Sequence, residues 1–223
     1  MSPLADQTES AFVRAHTRLA PAPYVPEVLL HLADDAITLW ELTEAELRRG
    51  EQPPPFWAFA WAGGQALARY ILDHPDLVGG RTVFDLAAGS GLVAIAAVKA
   101  GAAVVTANEI DPLAVAAVAA NAQANGVEVT TVLGDVLSGD AGGAEVVLAG
   151  DVFYSRSMAN RVLPFLRRAA ARGAHVLVGD PGRAYLPRDR FTAVTVHDVP
   201  VIRSLENSDV KTTTVWQVPA APD

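Results

Sequence analysis

The middle of the chain repeats one pattern, in which a short apolar run and a polar turn precede a longer segment with apolar positions three and four residues apart. The short runs are typical of buried strands and the longer segments of α-helices. The pattern predicts strands in "RTVFDLAA", "AVVTANEI", "VEVTTVLGD", "EVVLAGDVFY" and "AHVLVGDPG", and helices in "GLVAIAAVKAG", "PLAVAAVAANAQANG" and "MANRVLPFLRRAAARG". Such alternation is typical of a parallel sheet with helices on both faces.

The C-terminal part of the chain changes to a different pattern. "FTAVTVHDV" and "KTTTVWQV" predict two more strands with no long helix between them. Strands so close in sequence pair antiparallel more readily than parallel, because a parallel pair needs a long crossover. The fold class is therefore α/β: a Rossmann-like, seven-stranded, mostly parallel sheet with helices on both faces and an antiparallel C-terminal edge.

The N-terminal quarter is less regular. Residues 7–19 predict a short amphipathic helix. "EVLLHLADDAITLWEL" (27–42) fits either two strands around "ADD" or a helix, and we favour strands because "ITLWEL" alternates apolar and polar positions. "GGQALARYILDHP" predicts a helix that Pro75 ends. The Pro-rich "RRGEQPPPFW" is a plausible boundary. We expect an N-terminal extension over 1–52 that packs on the core, and a main domain over 53–223.

Composition narrows the classes of function. Of the 223 residues 51% are hydrophobic and 19% charged, so the chain can bury a sizeable core. The net charge of −8 argues against binding a nucleic-acid backbone and is compatible with a basic partner, such as a lysine-bearing protein surface.

The chain has no Cys, which excludes disulfides and thiolate metal sites, and no His pair has metal-ligand spacing, so we expect no metal. The N-terminus does not resemble a secretory signal and the apolar runs are shorter than a membrane span, so we expect a cytoplasmic protein. We also expect a monomer.

The segment "VFDLAAGSGLVAIAA" predicts a strand, a glycine turn and the start of a helix. Gly89 and Gly91 allow the backbone to turn tightly and to approach a ligand closely. Glu109 follows Gly89 by twenty residues, at the end of the next strand, where a carboxylate commonly binds ribose hydroxyls. Because ligands of parallel sheets lie beyond the carboxyl ends of the strands, we expect a ring of acids at this edge. Its members are Asp85, Glu109, Asp135 and Asp151.

Two classes of cofactor fit this spacing. "GSGLVA" matches the dinucleotide motif G-x-G-x-x-A, which leaves an NAD-type oxidoreductase open. A cationic sulfonium cofactor fits better, because Asp85 could hold an amino-acid ammonium, Asp135 could accept from an adenine amino group, and the aromatics of "FWAFAWAGGQ" could cover a thioether chain. An acidic rim would repel the pyrophosphate of a dinucleotide.

At these residues the chain resembles the class I, seven-strand S-adenosylmethionine-dependent methyltransferases, and more narrowly the lysine methyltransferases of the electron transfer flavoprotein β-subunit. The resemblance runs from about Pro26 to Trp216. It depends on "PPPFWAFAWAGGQALARYILDHPDLVGG", "VFDLAAGSGLVAIAAVKAGAAVVTANEIDP", "GDVFY", "GDPGR" and "TTTVW". One departure is visible: Ala62 stands where the family pattern has a proline, which loosens the expected turn without changing a polar contact.

The resemblance implies bound S-adenosylmethionine, with S-adenosylhomocysteine as its product. Asp85, Gly89 and Gly91 would hold the methionine part, which Trp61 would line. Glu109 would bind the ribose and Asp135 the adenine. The resemblance further implies that "DVFY" faces the methyl acceptor and that the protein partner is the electron transfer flavoprotein β-subunit.

We expect Asp151 to be exposed where the strand of "EVVLAGDVFY" reaches solvent. We assign Asp151 to positioning and capture of the acceptor nitrogen, and Tyr154 to a hydrogen bond beside it. The remaining candidates form or shape the acceptor channel: Phe153, Trp57, Asp180 and Arg183. Each has a simpler alternative: Asp151 as a helix N-cap, the aromatic residues as core, and "GDPGR" as a turn. The leading hypothesis is thus a protein-lysine N-methyltransferase. A methyltransferase for another amine or a ribosomal-protein lysine, an NAD-type oxidoreductase and an inactive binding module stay open.

Overall fold

The computed structural model describes residues 3–35, 38–39, 41 and 54–220. The chain begins with helix α1 (Pro3–His16) and an antiparallel hairpin of strands β1 (Arg18–Ala22) and β2 (Val25–Leu32). The hairpin forms a separate two-stranded sheet. Phe12 and Val13 of α1 are buried in one apolar cluster with Trp57 and Leu113, so this N-terminal segment packs against the rest of the protein.

The main sheet has seven strands in the order β5-β4-β3-β6-β7-β9-β8. The first five in this order are parallel, whereas β9 pairs antiparallel with both β7 and β8. The strands are β3 (Thr82–Leu86), β4 (Val104–Glu109), β5 (Thr130–Leu133), β6 (Val146–Gly150), β7 (His175–Asp180), β8 (Thr192–Pro200) and β9 (Val210–Gln217).

Helices cover both faces of this sheet. They are α2 (Ala62–Asp73), α3 (Leu92–Lys99), α4 (Pro112–Ala124), α5 (Arg156–Ala171) and the short α6 (Arg203–Glu206). Polar residues fix where two of them begin: Asp111 accepts from the backbone N–H of Leu113, and Ser155 accepts from that of Met158. One apolar cluster fills the space between the sheet and α2 and α3, and a second lies between the sheet and α5.

The predicted fold class is confirmed, including the parallel strands and the antiparallel C-terminal edge. The second strand predicted after "ADD" is wrong, because the described residues of that stretch, Thr38, Leu39 and Glu41, are helical. The predicted helix over 7–19 ends early, since Arg18 already belongs to β1. The predicted domain boundary near residue 52 lies outside the described residues. Among the helices of the described part, none combines the length and apolar character needed to cross a membrane.

Candidate active site

The carboxyl ends of the parallel strands bring the predicted acids to one edge of the sheet. Asp85 lies one residue before the end of β3 and precedes the glycine loop, and Glu109 ends β4. Asp151 follows β6 directly, and Asp180 ends β7. Since β3 pairs with β4 and β6, and β6 with β7, these carboxylates follow one another along the edge.

The glycine loop between β3 and α3 is shaped as the sequence predicts. Gly89 and Gly91 have φ angles of 55° and 78°, in the left-handed region that favours glycine. A Cβ atom built on Gly89 would meet nothing within 4 Å, so this backbone borders open space. The carboxylate of Asp85 accepts from the backbone N–H of Ala94 at 2.9 Å and ties the strand to the first turns of α3.

Glu109 reaches back to the same loop. Its Oε1 accepts from the backbone N–H of Gly89 at 2.7 Å, and its Oε2 accepts from that of Ile110 at 3.0 Å. Burial raises the pKa of Glu109 and raises the pKa of Asp85 to about 8, where the nearby Glu109 charge adds to the effect. Within the described part of the chain no ion pair neutralises either acid, so a cation bound at the glycine loop would favour the ionised form of both.

Asp135 lies beyond the end of β5 in a different setting. Its Oδ2 forms an ion pair with Arg161 at 2.6 Å, and its Oδ1 accepts from the backbone N–H of Leu137. The hydrogen bond from Arg161 lowers the pKa of this exposed carboxylate. Asp135 therefore remains ionised and is already held by a basic side chain.

Asp151 has a φ angle of 56° and a mostly buried carboxylate. Its Oδ1 accepts from Nε of Arg183 at 3.2 Å and from Nη2 at 2.8 Å, and its Oδ2 accepts from the backbone N–H of Gly64 at 3.0 Å. The expectation of an exposed Asp151 is therefore wrong. The alternative of a cap on the following helix is also wrong, because Ser155 caps α5, whereas Asp151 binds the first turn of α2.

Helix α2 reaches Asp151 because glycines allow very close backbone packing. A Cβ atom on Gly63 would lie 2.2 Å from the carbonyl oxygen of Gly179 and 2.6 Å from Oδ2 of Asp151. A Cβ atom on Gly150 would lie 2.9 Å from the backbone of Gly64. The N-terminus of α2 therefore lies directly on the ends of β6 and β7, and its positive dipole end faces the carboxylate.

Arg183 connects three parts of the edge. Besides Asp151, its guanidinium donates to both carboxylate oxygens of Glu206, at 2.6 Å and 3.1 Å, and lies 5.7 Å from the ring centre of Trp61. Glu206 belongs to α6 in the connection between β8 and β9, which this contact fixes at the edge. Glu206 could not be predicted as a site residue from the sequence, because a four-residue helix leaves no periodic signal and only the fold brings Glu206 to Arg183.

Asp180 shapes the turn that carries Arg183. Its Oδ1 accepts from the backbone N–H groups of Gly182 and Arg183, both at 2.6 Å, so the turn alternative for "GDPGR" is confirmed. Its Oδ2 is buried and has no hydrogen-bond partner among the described residues. Burial raises the pKa of Asp180 to about 6, and the nearby charge of Asp151 contributes to this rise.

Three aromatic side chains lie beside these acids. Trp61 donates its indole N–H to the carbonyl oxygen of Phe56 at 2.8 Å, and the two rings lie 5.8 Å apart. Tyr154 is half exposed, and its ring lies 5.6 Å from that of Phe56. Burial raises the pKa of Tyr154, and the charge of Glu109 adds to the rise. The sequence motif "PPPFW" contained Phe56, but nothing in the pattern separated it from its neighbours.

Two predicted channel residues lie in the core. Phe153 is fully buried and packs against Phe191 at a ring distance of 5.7 Å. Trp57 is 1% exposed, in the cluster that joins α1 to α4. The structure brings neither side chain to the edge where Asp151 and Tyr154 lie.

The site fits a cationic nucleoside cofactor. The open backbone at Gly89 offers room for a ligand, and the buried acids beside it favour positive charge. A family model described as ribosomal protein L11 methyltransferase (PrmA) matches residues 66–152. A crystal structure of an RNA methyltransferase from Salinibacter ruber in complex with S-adenosyl-L-homocysteine has the same fold. It superposes with a TM-score of 0.51 at 23% identity, covering 71% of this chain and 94% of that one.

The fold and the glycine site define a Rossmann-like, S-adenosylmethionine-dependent methyltransferase. The electron transfer flavoprotein beta subunit lysine methyltransferase of Xenopus laevis is 38% identical over 78% of this chain and 70% of its own length. The mouse protein of the same name is 33% identical over 95% of this chain and 84% of its own length. The chain belongs to this family of electron transfer flavoprotein β-subunit lysine methyltransferases. A member of this family uses S-adenosylmethionine, so the NAD alternative is wrong.

Proposed function

We propose that this protein transfers a methyl group from S-adenosylmethionine to the side-chain nitrogen of a lysine in the electron transfer flavoprotein β-subunit. The observation that carries the proposal is the similarity over 95% of the chain to a relative named for that reaction. This similarity includes the acceptor half of the edge, from β6 to β9, as well as the cofactor half. The acidic net charge of −8 suits a basic, lysine-bearing partner.

The cofactor residues keep their predicted roles in this proposal. Asp85, Gly89 and Gly91 hold the methionine part, which Trp61 flanks. Glu109 receives the ribose, and Asp135 lies on the adenine side, where Arg161 fixes its carboxylate. When bound, S-adenosylmethionine supplies an electrophilic methyl group on a sulfonium.

The acceptor must present a neutral amine. Deprotonating a lysine with a pKa of about 10.4 near pH 7.5 costs about 4 kcal/mol, at about 1.36 kcal/mol per pH unit. An unpaired carboxylate would oppose this step by stabilising the ammonium. Arg183 limits that opposition, because its guanidinium pairs with Asp151 and offsets part of its charge while also pairing with Glu206.

Asp151 positions the acceptor nitrogen through one oxygen. An ionised carboxylate has about four acceptor positions, and the contacts to Arg183 and Gly64 occupy three of them. The last position, on Oδ2, can accept one N–H of the incoming amine. Tyr154 and Phe56 flank the aliphatic stem of the lysine, and Tyr154 adds a hydroxyl. Orientation of this kind is the main contribution a protein makes to an in-line methyl transfer.

Asp180 and Arg183 act as a supporting pair, because the turn at Asp180 sets the direction of Arg183 toward Asp151. Phe153 and Trp57 support the edge from inside the core rather than contacting the acceptor.

The test is to incubate the protein with methyl-labelled S-adenosylmethionine and purified electron transfer flavoprotein β-subunit, and to map the label by mass spectrometry. We expect label on lysine side chains. A β-subunit in which the labelled lysines are changed to arginine is the control. Absence of label, with S-adenosylhomocysteine binding intact, would contradict the proposed acceptor while preserving the class.

A ribosomal-protein lysine is the second candidate acceptor, favoured by the match of the L11 methyltransferase model. That match stops at residue 152 and includes neither Arg183 nor Glu206, so it concerns mainly the cofactor half. A competition between L11 and the β-subunit at equal concentration decides between the acceptors by the ratio of their labelling rates.

A further inference from the structure

We propose that Asn121 is a positioning residue for the cofactor site and joins the glycine loop to the N-terminal hairpin. Asn121 lies on α4 and is fully buried. Among the described residues, the Asn121 side chain makes no hydrogen bond to Gly89 or to the acids of the acceptor half. Its effect on the cofactor therefore passes through the backbone of the loop.

The two ends of the Asn121 amide bind two different backbone segments. Its Nδ2 donates to the carbonyl oxygen of Ser90 at 2.8 Å, and its Oδ1 accepts from the backbone N–H of His31 at 2.7 Å. A carbonyl needs a donor and an N–H needs an acceptor, so only one orientation of the amide satisfies both. Ser90 stands between Gly89 and Gly91 at the centre of the loop.

The carbonyl of Ser90 depends on this contact. Ser90 precedes Gly91, the N-cap of α3, so its carbonyl lies outside the hydrogen-bond series of the helix, and the nearby backbone N–H of Ala94 donates to Asp85. The buried carbonyl oxygen of Ser90 accepts its hydrogen bond from Nδ2 of Asn121. Val118, one turn earlier on α4, supports the same loop, since a Cβ atom on Gly91 would lie 3.1 Å from its side chain.

The other contact extends the support to the N-terminal segment. His31 lies on β2, so Asn121 makes the hairpin part of the scaffold that holds the loop. Asn125, one turn later and just past the end of α4, also binds this strand: its Oδ1 accepts from the N–H of Leu29 and its Nδ2 donates to the Leu29 carbonyl. Asn125 thus anchors the hairpin without a hydrogen bond to the glycine loop, and is a matched control.

The experiment compares Asn121→Asp with Asn125→Asp. Each aspartate keeps the acceptor for β2 but loses the donor, so only Asn121→Asp removes the bond to the loop. We expect the Kd for S-adenosylhomocysteine, measured by calorimetry at pH 8.5, to rise about tenfold in Asn121→Asp, as for one lost buried hydrogen bond, and to change less than about twofold in Asn125→Asp.

A second readout separates positioning from general destabilisation. At lower pH the aspartate introduced by Asn121→Asp can take up a proton and regain a donor for the Ser90 carbonyl. The defect of the variant relative to wild type should therefore shrink between about pH 8.5 and about pH 6. If Asn121→Asp does not fold, Asn121→Ser against Asn125→Ser gives the same comparison without a charge. Equal effects at the two positions, or an unchanged Kd at position 121, would overturn the proposal.

Discussion

The two halves of the catalytic edge treat their carboxylates differently. In the cofactor half, at the ends of β3 and β4, Asp85 and Glu109 receive backbone N–H groups, and burial raises the pKa of both. In the acceptor half, at the ends of β6 and β7, Asp151 shares the guanidinium of Arg183 with Glu206. Within the described residues, Asp85 and Glu109 thus have no ion pair, although Asp135 on the adenine side pairs with Arg161, and the acceptor half supplies its own cation for Asp151.

The difference matches the chemistry that each half must serve. A cationic sulfonium cofactor gains from acids that lack a basic partner. The acceptor half must hold a lysine without stabilising its ammonium, and an internal arginine meets that need. Changing one carboxylate in each half should therefore give opposite patterns of binding and turnover.

The largest effect is expected from Asp151→Asn. Asparagine tolerates the positive φ at this position, so the backbone is retained. The ion pair with Arg183 and one acceptor oxygen are lost, and the acceptor nitrogen loses its orientation, so we expect kcat for lysine methylation to fall about 10³-fold. The Kd for S-adenosylhomocysteine, measured by calorimetry, should stay within about twofold of wild type. A comparable loss of cofactor binding would contradict the assignment of Asp151 to the acceptor half.

A second prediction concerns the pH dependence of stability at Asp180. Its pKa is about 6 in the folded protein against 3.8 for an ordinary aspartate, so the folded state binds the proton more tightly than the unfolded state. The contribution of this group to stability falls as pH rises from about 4 to about 6 and stays low above that range. The asparagine introduced by Asp180→Asn does not titrate but keeps an oxygen for the turn.

The free energy of unfolding of Asp180→Asn, relative to wild type, should thus rise by about 2 kcal/mol between about pH 4 and about pH 7.5. Urea denaturation of both proteins at the two pH values measures the change. If the two proteins differ in the free energy of unfolding by the same amount at both pH values, burial does not raise the pKa of Asp180 as expected.

The close packing that joins the halves is tested by Gly63→Ala. The new Cβ would lie 2.2 Å from the carbonyl oxygen of Gly179, so the backbone must shift, and we expect the free energy of unfolding to fall by about 2 kcal/mol. Gly64→Ala is the matched control, since its Cβ would meet only a Val93 methyl at 3.9 Å. Urea denaturation should show no loss for the control, and equal losses would contradict the packing argument.

The smallest effect is expected from Glu109→Gln, the counterpart of Asp151→Asn. Glutamine keeps an oxygen for the N–H of Gly89 but loses the charge and one acceptor. We expect the Kd for S-adenosylhomocysteine to rise about tenfold, whereas kcat at saturating cofactor stays within about twofold. A fall in kcat with unchanged cofactor affinity would reverse the assignment of the two halves.

Much of the fold could be predicted because its elements carry local signals. Period-two and period-3.6 patterns identified the seven strands and the long helices, and the rule for parallel sheets brought Asp85, Glu109 and Asp151 to one edge. The second strand predicted after "ADD" failed because short apolar runs fit either period. Phe153 and Trp57 were misplaced since an aromatic residue near a site has the same sequence signal as one in the core.

The strands and long helices of the main sheet and the glycine loop could be derived from the amino-acid sequence, because each depends on residues close together in the chain. Folding in three dimensions was needed to insert β9 between β7 and β8, which brings Glu206 to Arg183. It was also needed to pack α2 on Gly179, and to place Asn121 between His31 and Ser90. These contacts join residues far apart in sequence, and their energy depends on burial and distance, which exist only in the folded chain.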